Sequence, residues 1–296
     1  MSRVVHRGLR QILQNGHRFF RAIWWSANLL FGLALLSLIY AGAWELSVRQ
    51  YLRGFSDAIV PAAAAPEQKA EAILAWMRSG APRSSAVAPA TLSQRDPETT
   101  LNYQQLLNVC GTATNAFLNL SRSAGISTRR LLLLNPQRQA KHVVAEVLID
   151  GRWVVVDATY RVFFRDANGR PLTRNELRDP AIFAQATSAI PHYLPEYSFE
   201  SVAHVRLARL PMDGFHLRAL LTAIDPRWDE SADWTLLLER ESFFFFFIAL
   251  LLSFLFFFVR TFLAWYADKR LKIPRFRLRE RVVRVGAAFF TPPELK

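Results

Sequence analysis

A thiol, an imidazole and a carboxylate follow one another in an order that suits nucleophilic acyl transfer. The 296-residue chain has one cysteine, Cys110, and His142 and Asp157 come after it. In sites of this kind the thiolate attacks a carbonyl to give a thioester. The imidazole takes and returns the proton, and the carboxylate fixes its tautomer and stabilises the imidazolium. Water or an amine then releases the acyl group. The oxyanion needs the Cys110 backbone N–H and one further donor. Gln104, six residues upstream, Gln105 and Tyr103 all stand open for that role. Each triad member also has a plainer use. Cys110 can be a packed core thiol, His142 a strand-edge histidine, and Asp157 a strand-end residue that caps the next turn.

The elements expected around these residues favour the chemistry. Asn108 is a suitable helix N-cap, so Cys110 falls in the first turn, where the helix dipole lowers a thiol pKa from its ordinary ~8.5. Val109, Ala113, Ala116, Phe117, Leu120 and Ala124 share one helical face, and Gly125 ends the helix. Arg129 to Leu134 reads as a strand ended by Asn135-Pro136. His142 to Ile149 and Arg152 to Ala158 are two further β-rich runs, joined by Asp150-Gly151. That dipeptide is a strong hairpin signal and fixes the register. Val144 then faces Asp157, and His142 faces Thr159. His142 and Asp157 become diagonal neighbours on one face, roughly 7–8 Å apart at Cα and within side-chain reach. A slip of one residue would part them.

These residues resemble the transglutaminase-like superfamily. The likeness runs over Cys110, Gly125-Ile126-Ser127-Thr128-Arg129, His142-Val143-Val144-Ala145-Glu146-Val147, Asp150-Gly151-Arg152-Trp153 and Asp157-Ala158-Thr159. It implies an α+β, papain-like fold, with Cys on a helix N-terminus packed against an antiparallel sheet that carries His and Asp. It implies Cys110 as nucleophile, His142 as base and Asp157 as its orienter. The chain departs from the family pattern at Asn108 for Gly, Val144 for Trp, Ser127-Thr128 for Pro-Ala and Ala158 for Pro. None of these touches the triad, although the missing Trp bears on the substrate groove. The superfamily holds cross-linking enzymes, proteases, amide hydrolases and members without activity, so the resemblance does not choose the reaction.

Two apolar segments frame this core. Ala22 to Trp44 is 23 residues without a charge, and Ser242 to Val259 is 18 more, with apolar character continuing to Ala267. Each is long enough to cross ~30 Å of hydrocarbon. Trp24, Trp25, Trp44, Trp265 and Tyr266 near the ends suit interfacial belts. Ala41-Gly42-Ala43 resembles a signal-peptidase site, but the run exceeds the length of a signal, so an uncleaved anchor is expected.

The net charge of +13 sits on the ends. Residues 1–21 hold five Arg and no acid, and residues 260–296 hold ten Lys/Arg against Asp268, Glu280 and Glu294. Residues 45–241 are nearly neutral, with 22 Lys/Arg and 21 Asp/Glu. Nucleic acid is therefore not the expected partner; the basic ends follow the positive-inside rule beside a bilayer. Both termini are expected in the cytoplasm, with residues 45–241 outside the cytoplasmic (inner) membrane. In a bacterium that is the periplasm.

The expected division is a basic tail 1–21, a first span 22–44 and an outer helical segment and linker 45–101. A transglutaminase-like core 102–180, a membrane-proximal segment 181–241, a second span 242–267 and a basic tail 268–296 follow. The first tail is either a short helix on the membrane surface or an orientation signal. Glu67 to Arg78 reads as an amphipathic helix with Ala70, Ile73, Leu74 and Met77 on its apolar stripe, and Ser79 to Thr100 as a loop. A hairpin with Asn168-Gly169 at its turn, a helix start at Thr173 with Glu176, and a helix over Phe215 to Ile224 complete the reading. No cofactor is implied, and no His/Cys/Asp cluster has metal-ligand spacing. Two functions follow. One is a membrane-anchored cysteine acyl-transfer enzyme acting on peptide amides of exported protein or cell-wall peptide. The other is an idle module of the same fold that scaffolds a cell-envelope or polysaccharide-export assembly.

Overall fold

A computed structural model describes residues 2–79, 84, 93, 95–205, 217–226, 228, 233, 235, 237 and 240–271. The tail 272–296, most of the loop 80–94 and most of 206–239 lie outside these residues. So do Phe215 and His216 of the expected helix, whose described part is α6 (Leu217–Ile224).

The first helix, α1, runs unbroken over Ser2–Ile59. No proline interrupts this stretch, and the basic tail and the apolar segment run as one helix. The last described helix, α7, covers Glu241–Tyr266 and ends in a π turn at Ala267–Leu271. Two helical stretches, Arg18–Ile59 and Glu241–Leu271, are long and apolar enough to cross a membrane. Only 11% and 17% of their most apolar windows are buried, so the protein does not wrap them as it would a core helix. The chain divides into two compact units. In the first, Met1–Ile39 with Ile248–Lys296, α1 and α7 touch through Phe31 and Phe257, and the Arg260 guanidinium lies 5.6 Å from the Phe31 ring centroid.

The second unit, Tyr40–Phe247, is an α+β fold. Within it, buried Glu45 is held by Arg240 at 2.9 Å, Arg49 at 2.6 Å and the Ser242 hydroxyl at 2.8 Å. Such pairing is what a buried carboxylate requires. The helices α2 (Pro66–Ser79) and α4 (Cys110–Ser123) pack on a five-stranded antiparallel sheet. Its strands are β1 (Thr128–Leu134), β2 (Ala140–Ile149), β3 (Arg152–Asp157), β4 (Val162–Phe163) and β5 (Val202–Ala203), in the order β4-β3-β2-β1-β5. The α2 stripe Ala70, Ile73, Leu74 and Met77 is buried as expected, and Trp76 packs edge-on against Phe55.

Alternation along the strands gives the sheet two covered faces. Ala145, Val147, Val154 and Val156 join the cluster that holds the α2 and α4 side chains. Val144 and Val155 join Leu131, Leu133, Phe164, Phe183, Phe199 and Val202 on the other side. Residues 172–205 therefore complete the core. They include α5 (Pro180–Thr187), capped by Asp179, and β5, which pairs with β1. Residues 97–100, expected in a loop, lie in the short helix α3 (Pro97–Asn102), capped by Asp96.

The β2–β3 hairpin has the expected register, from Ile149↔Arg152 to Ala145↔Val156. Both turn residues are left-handed, Asp150 at φ 49° and Gly151 at φ 77°. Helix α4 ends in a paired C-terminal motif: Gly125 N–H donates to Arg122 O and Ile126 N–H to Ser121 O, with Gly125 at φ 78°. The Gly125→Ala variant would force a Cβ into this left-handed conformation. It is expected to lower stability by about 1 kcal/mol, read as a shifted denaturant midpoint.

Candidate active site

Cys110 opens α4 after a 3-10 turn at Gln104–Asn108. Val109, at φ −99° and ψ 126°, occupies the cap position without a side-chain cap, and its own side chain is 52% exposed. Asn108 is therefore not the N-cap, and Val109 leaves the apolar face, because the 3-10 turn carries the chain straight into the helix. The Thr112 hydroxyl bonds Leu106 O, and the Thr114 hydroxyl donates to Val143 O at 3.0 Å. These bonds seat the first turn of α4 beside the start of β2.

Asn108 has a different partner. Its Oδ1 accepts from Arg161 Nη2 at 2.8 Å, and Arg161 Nε donates to Met77 O at 3.1 Å. Arg161 has φ 62°, a conformation uncommon outside glycine. This strained residue ties the turn after Asp157 to the turn before Cys110, the kind of local strain that a site can retain.

His142 and Asp157 meet as their register requires. His142 Nε2 lies 2.6 Å from Asp157 Oδ2, and both side chains are buried. The second carboxylate oxygen, Oδ1, accepts the backbone N–H groups of Thr159 at 2.9 Å and Tyr160 at 3.2 Å. Asp157 thus caps the following turn and holds the imidazole with one side chain. With Nε2 engaged, Nδ1 is the nitrogen left for the thiol.

The electrostatics follow from this chain of contacts. The hydrogen bond with His142 lowers the Cys110 pKa; burial opposes it, and the imidazolium charge and the Gly111 and Val143 backbone groups assist. Burial alone would lower the His142 pKa. The hydrogen bonds to Asp157 and Cys110, and their charges, instead raise it to about 9. Both shifts act in the direction that favours a thiolate–imidazolium pair.

Three tyrosines surround the imidazole. Tyr197 stacks flat on His142, with centroids 4.2 Å apart and planes 5° apart. Tyr160 and Tyr193 meet it edge-on at 6.2 and 6.4 Å. Three of the chain's seven tyrosines converge here, and the signal available in sequence was Tyr193-Leu194-Pro195-Glu196-Tyr197, an aromatic pair spaced by a proline turn.

The remaining motif residues form a brace. Glu146, fully buried on the His142 face of β2, is paired with Arg129 Nε at 2.7 Å, and the Arg129 guanidinium lies 4.1 Å from the Trp153 ring centroid. Glu146 is buried and paired while Arg129 and Trp153 are half-buried beside it, an arrangement that braces the sheet. Of the three oxyanion-donor candidates, Gln104 is exposed and Tyr103 is half-buried. Gln105 has a buried Nε2 with no hydrogen-bond partner among the described residues. No group of three or more metal-binding side chains occurs among the described residues.

No curated protein and no solved structure matches the chain. The family model described as the transglutaminase-like superfamily matches residues 53–158, a stretch that reaches from the end of α1 through Cys110 and His142 to Asp157. Residues 53–158 of this chain are a transglutaminase-like superfamily domain.

Proposed function

We propose that the protein is a membrane-anchored cysteine acyl-transfer enzyme of protease, amidase or transglutaminase type. It would work on peptide amides outside the cytoplasmic membrane. The superfamily match supports a cysteine-dependent acyltransferase or protease as the class. The observation that carries the reading is the His142 Nε2–Asp157 Oδ2 contact of 2.6 Å, which leaves the other imidazole nitrogen for Cys110 at the start of a helix. Cys110 Sγ attacks the substrate carbonyl as a thiolate. The Cys110 backbone N–H and one further donor, for which the unpaired Gln105 amide is the candidate, receive the oxyanion. The His142 imidazolium gives its proton to the leaving amine. It then takes one from the incoming water or amine that breaks the thioester.

Charge asymmetry supports an orientation with both termini in the cytoplasm and residues 45–241 outside. Substrates in exported protein or cell-wall peptide suit that location. The test is a pulse of the full chain, in detergent, with glutaminyl peptides and cell-wall peptides, followed by intact mass measurement. The expected result is a mass gain equal to the acyl portion, removed by neutral hydroxylamine and absent in Cys110→Ala. If no peptide gives an adduct and Cys110→Ala supports full cellular function, the scaffold reading replaces this one.

A further inference from the structure

We propose that Tyr197 is a positioning residue for this chemistry: stacked flat on His142, its ring fixes the imidazole plane between Asp157 and Cys110 and favours the imidazolium over the neutral ring. The inference rests on the acyl-transfer reading. An imidazole can still rock about its Cβ–Cγ bond within the tolerance of its two hydrogen bonds. A parallel ring 4.2 Å away removes that freedom. The electron-rich face of a phenol also attracts a cation lying against it.

The segment that carries Tyr197 is built to hold it there. Residues 188–201 have no regular secondary structure, yet they are fixed on both sides of the histidine. The Tyr160 hydroxyl donates to His192 O at 3.2 Å, and Lys141 pairs with Glu196 at 3.8 Å. Tyr193 meets the Tyr197 ring edge-on at 5.7 Å and is itself wedged against Phe164 and Phe183. Beyond the strap, Phe199 and Val202 are anchored in the core. Tyr197 is only half-buried, so filling the core is not its main use.

The titratable groups facing His142 come from three directions. They are Cys110 on α4, Asp157 at the end of β3 with Tyr160 just after it, and Tyr193 and Tyr197 on the strap. The Lys141–Glu196 ion pair stands beside them and is neutral as a pair. All three tyrosines have pKa values pushed up, first by burial, so they stay neutral where the pair works. What Tyr197 contributes to the imidazolium is therefore its ring and not a phenolate charge.

The experiment uses the full chain in detergent, where the single cysteine makes alkylation report Cys110 alone. Iodoacetate is an anion, so its rate falls when the imidazolium is lost, and the upper midpoint of its pH profile reads His142. Tyr197→Phe is expected to follow the wild type within about twofold. Tyr197→Leu is expected to move the upper midpoint down by about half a pH unit or more and to slow alkylation at pH 7 by roughly three- to tenfold. Tyr197→Trp restores an aromatic face and is expected to keep the midpoint, which guards against a Leu variant that does not fold. A Leu profile that superposes on wild type, or Phe or Trp profiles shifted as far as Leu, would overturn the proposal. His142→Ala separates the two levels. If it leaves the wild-type profile unchanged, the acyl-transfer reading falls; if it collapses the profile while Tyr197→Leu does not, only the role of Tyr197 falls.

Discussion

At pH 6.5, His142→Ala is expected to slow iodoacetamide alkylation of Cys110 by roughly 100-fold, the fraction of thiolate that a thiol of ordinary pKa ~8.5 retains there. In the wild type the thiol is held below its usual range by the hydrogen bond with His142, and the imidazole is held at about 9. Both shifts act towards a thiolate–imidazolium pair, and the wild-type rate is expected to be high already below neutrality. Removing the imidazole takes away the hydrogen bond and the positive charge together. Burial of Cys110 then pushes the thiol up against only the Gly111 and Val143 backbone groups. The helix N-terminus remains in the variant and isolates the dipole contribution. A variant profile that overlays the wild type would mean the helix alone sets the thiol and that His142 takes no part. A wild-type rate rising only near pH 8.5 would mean an ordinary cysteine.

The sequence disclosed the parts of this site that rest on local rules. Asp150-Gly151 determines a two-residue turn, the turn determines a register, and the register brings Asp157 to His142. Gly125 is likewise readable, because only a left-handed residue completes the bonds that end α4. Other features depend on partners far away in the chain. Asn108 resembles a cap by type, and the Arg161 guanidinium, 53 residues on, takes its side chain instead. Two short helices carry no periodic signature, since six and eight residues make too little of a repeat. Both nonetheless begin with Asp-Pro, at Asp96-Pro97 and Asp179-Pro180, where the carboxylate caps and the proline sits at the first helical position. Tyr193 and Tyr197 lie beyond any local rule. Nothing in their spacing tells which surface a strap will cover, and β5, with two residues, gives no alternation to read.

Asp157 is expected to show a split between charge and hydrogen bonding that no other residue of the site can show. Asp157→Asn keeps an oxygen for the Thr159 and Tyr160 N–H groups, which now bond Oδ1 at 2.9 and 3.2 Å. It removes the negative charge beside His142. Burial then draws the imidazole down from about 9, and the thiolate–imidazolium pair loses its stability near neutrality. Turnover is expected to fall by roughly 10²- to 10⁴-fold with the fold intact. Asp157→Ala removes the turn cap as well and leaves a buried histidine without its partner, so it is expected to lose about 3–5 kcal/mol of stability in addition. The pH dependence of stability gives an independent readout. A histidine raised from 6.5 to about 9 on folding contributes stability that is complete below pH 6.5 and lost as pH rises through about 9. The lowered Cys110 thiol contributes with the opposite sign over the same range, so the comparison is made in Cys110→Ala: with Asp157 in place its denaturant midpoint should fall as pH rises above 6.5, and this contribution should disappear when Asp157→Asn is added. If Asn and Ala lose turnover equally while that dependence of stability on pH survives both substitutions, the carboxylate does not hold the imidazolium. Asp157 would then be a turn cap that lies beside a histidine.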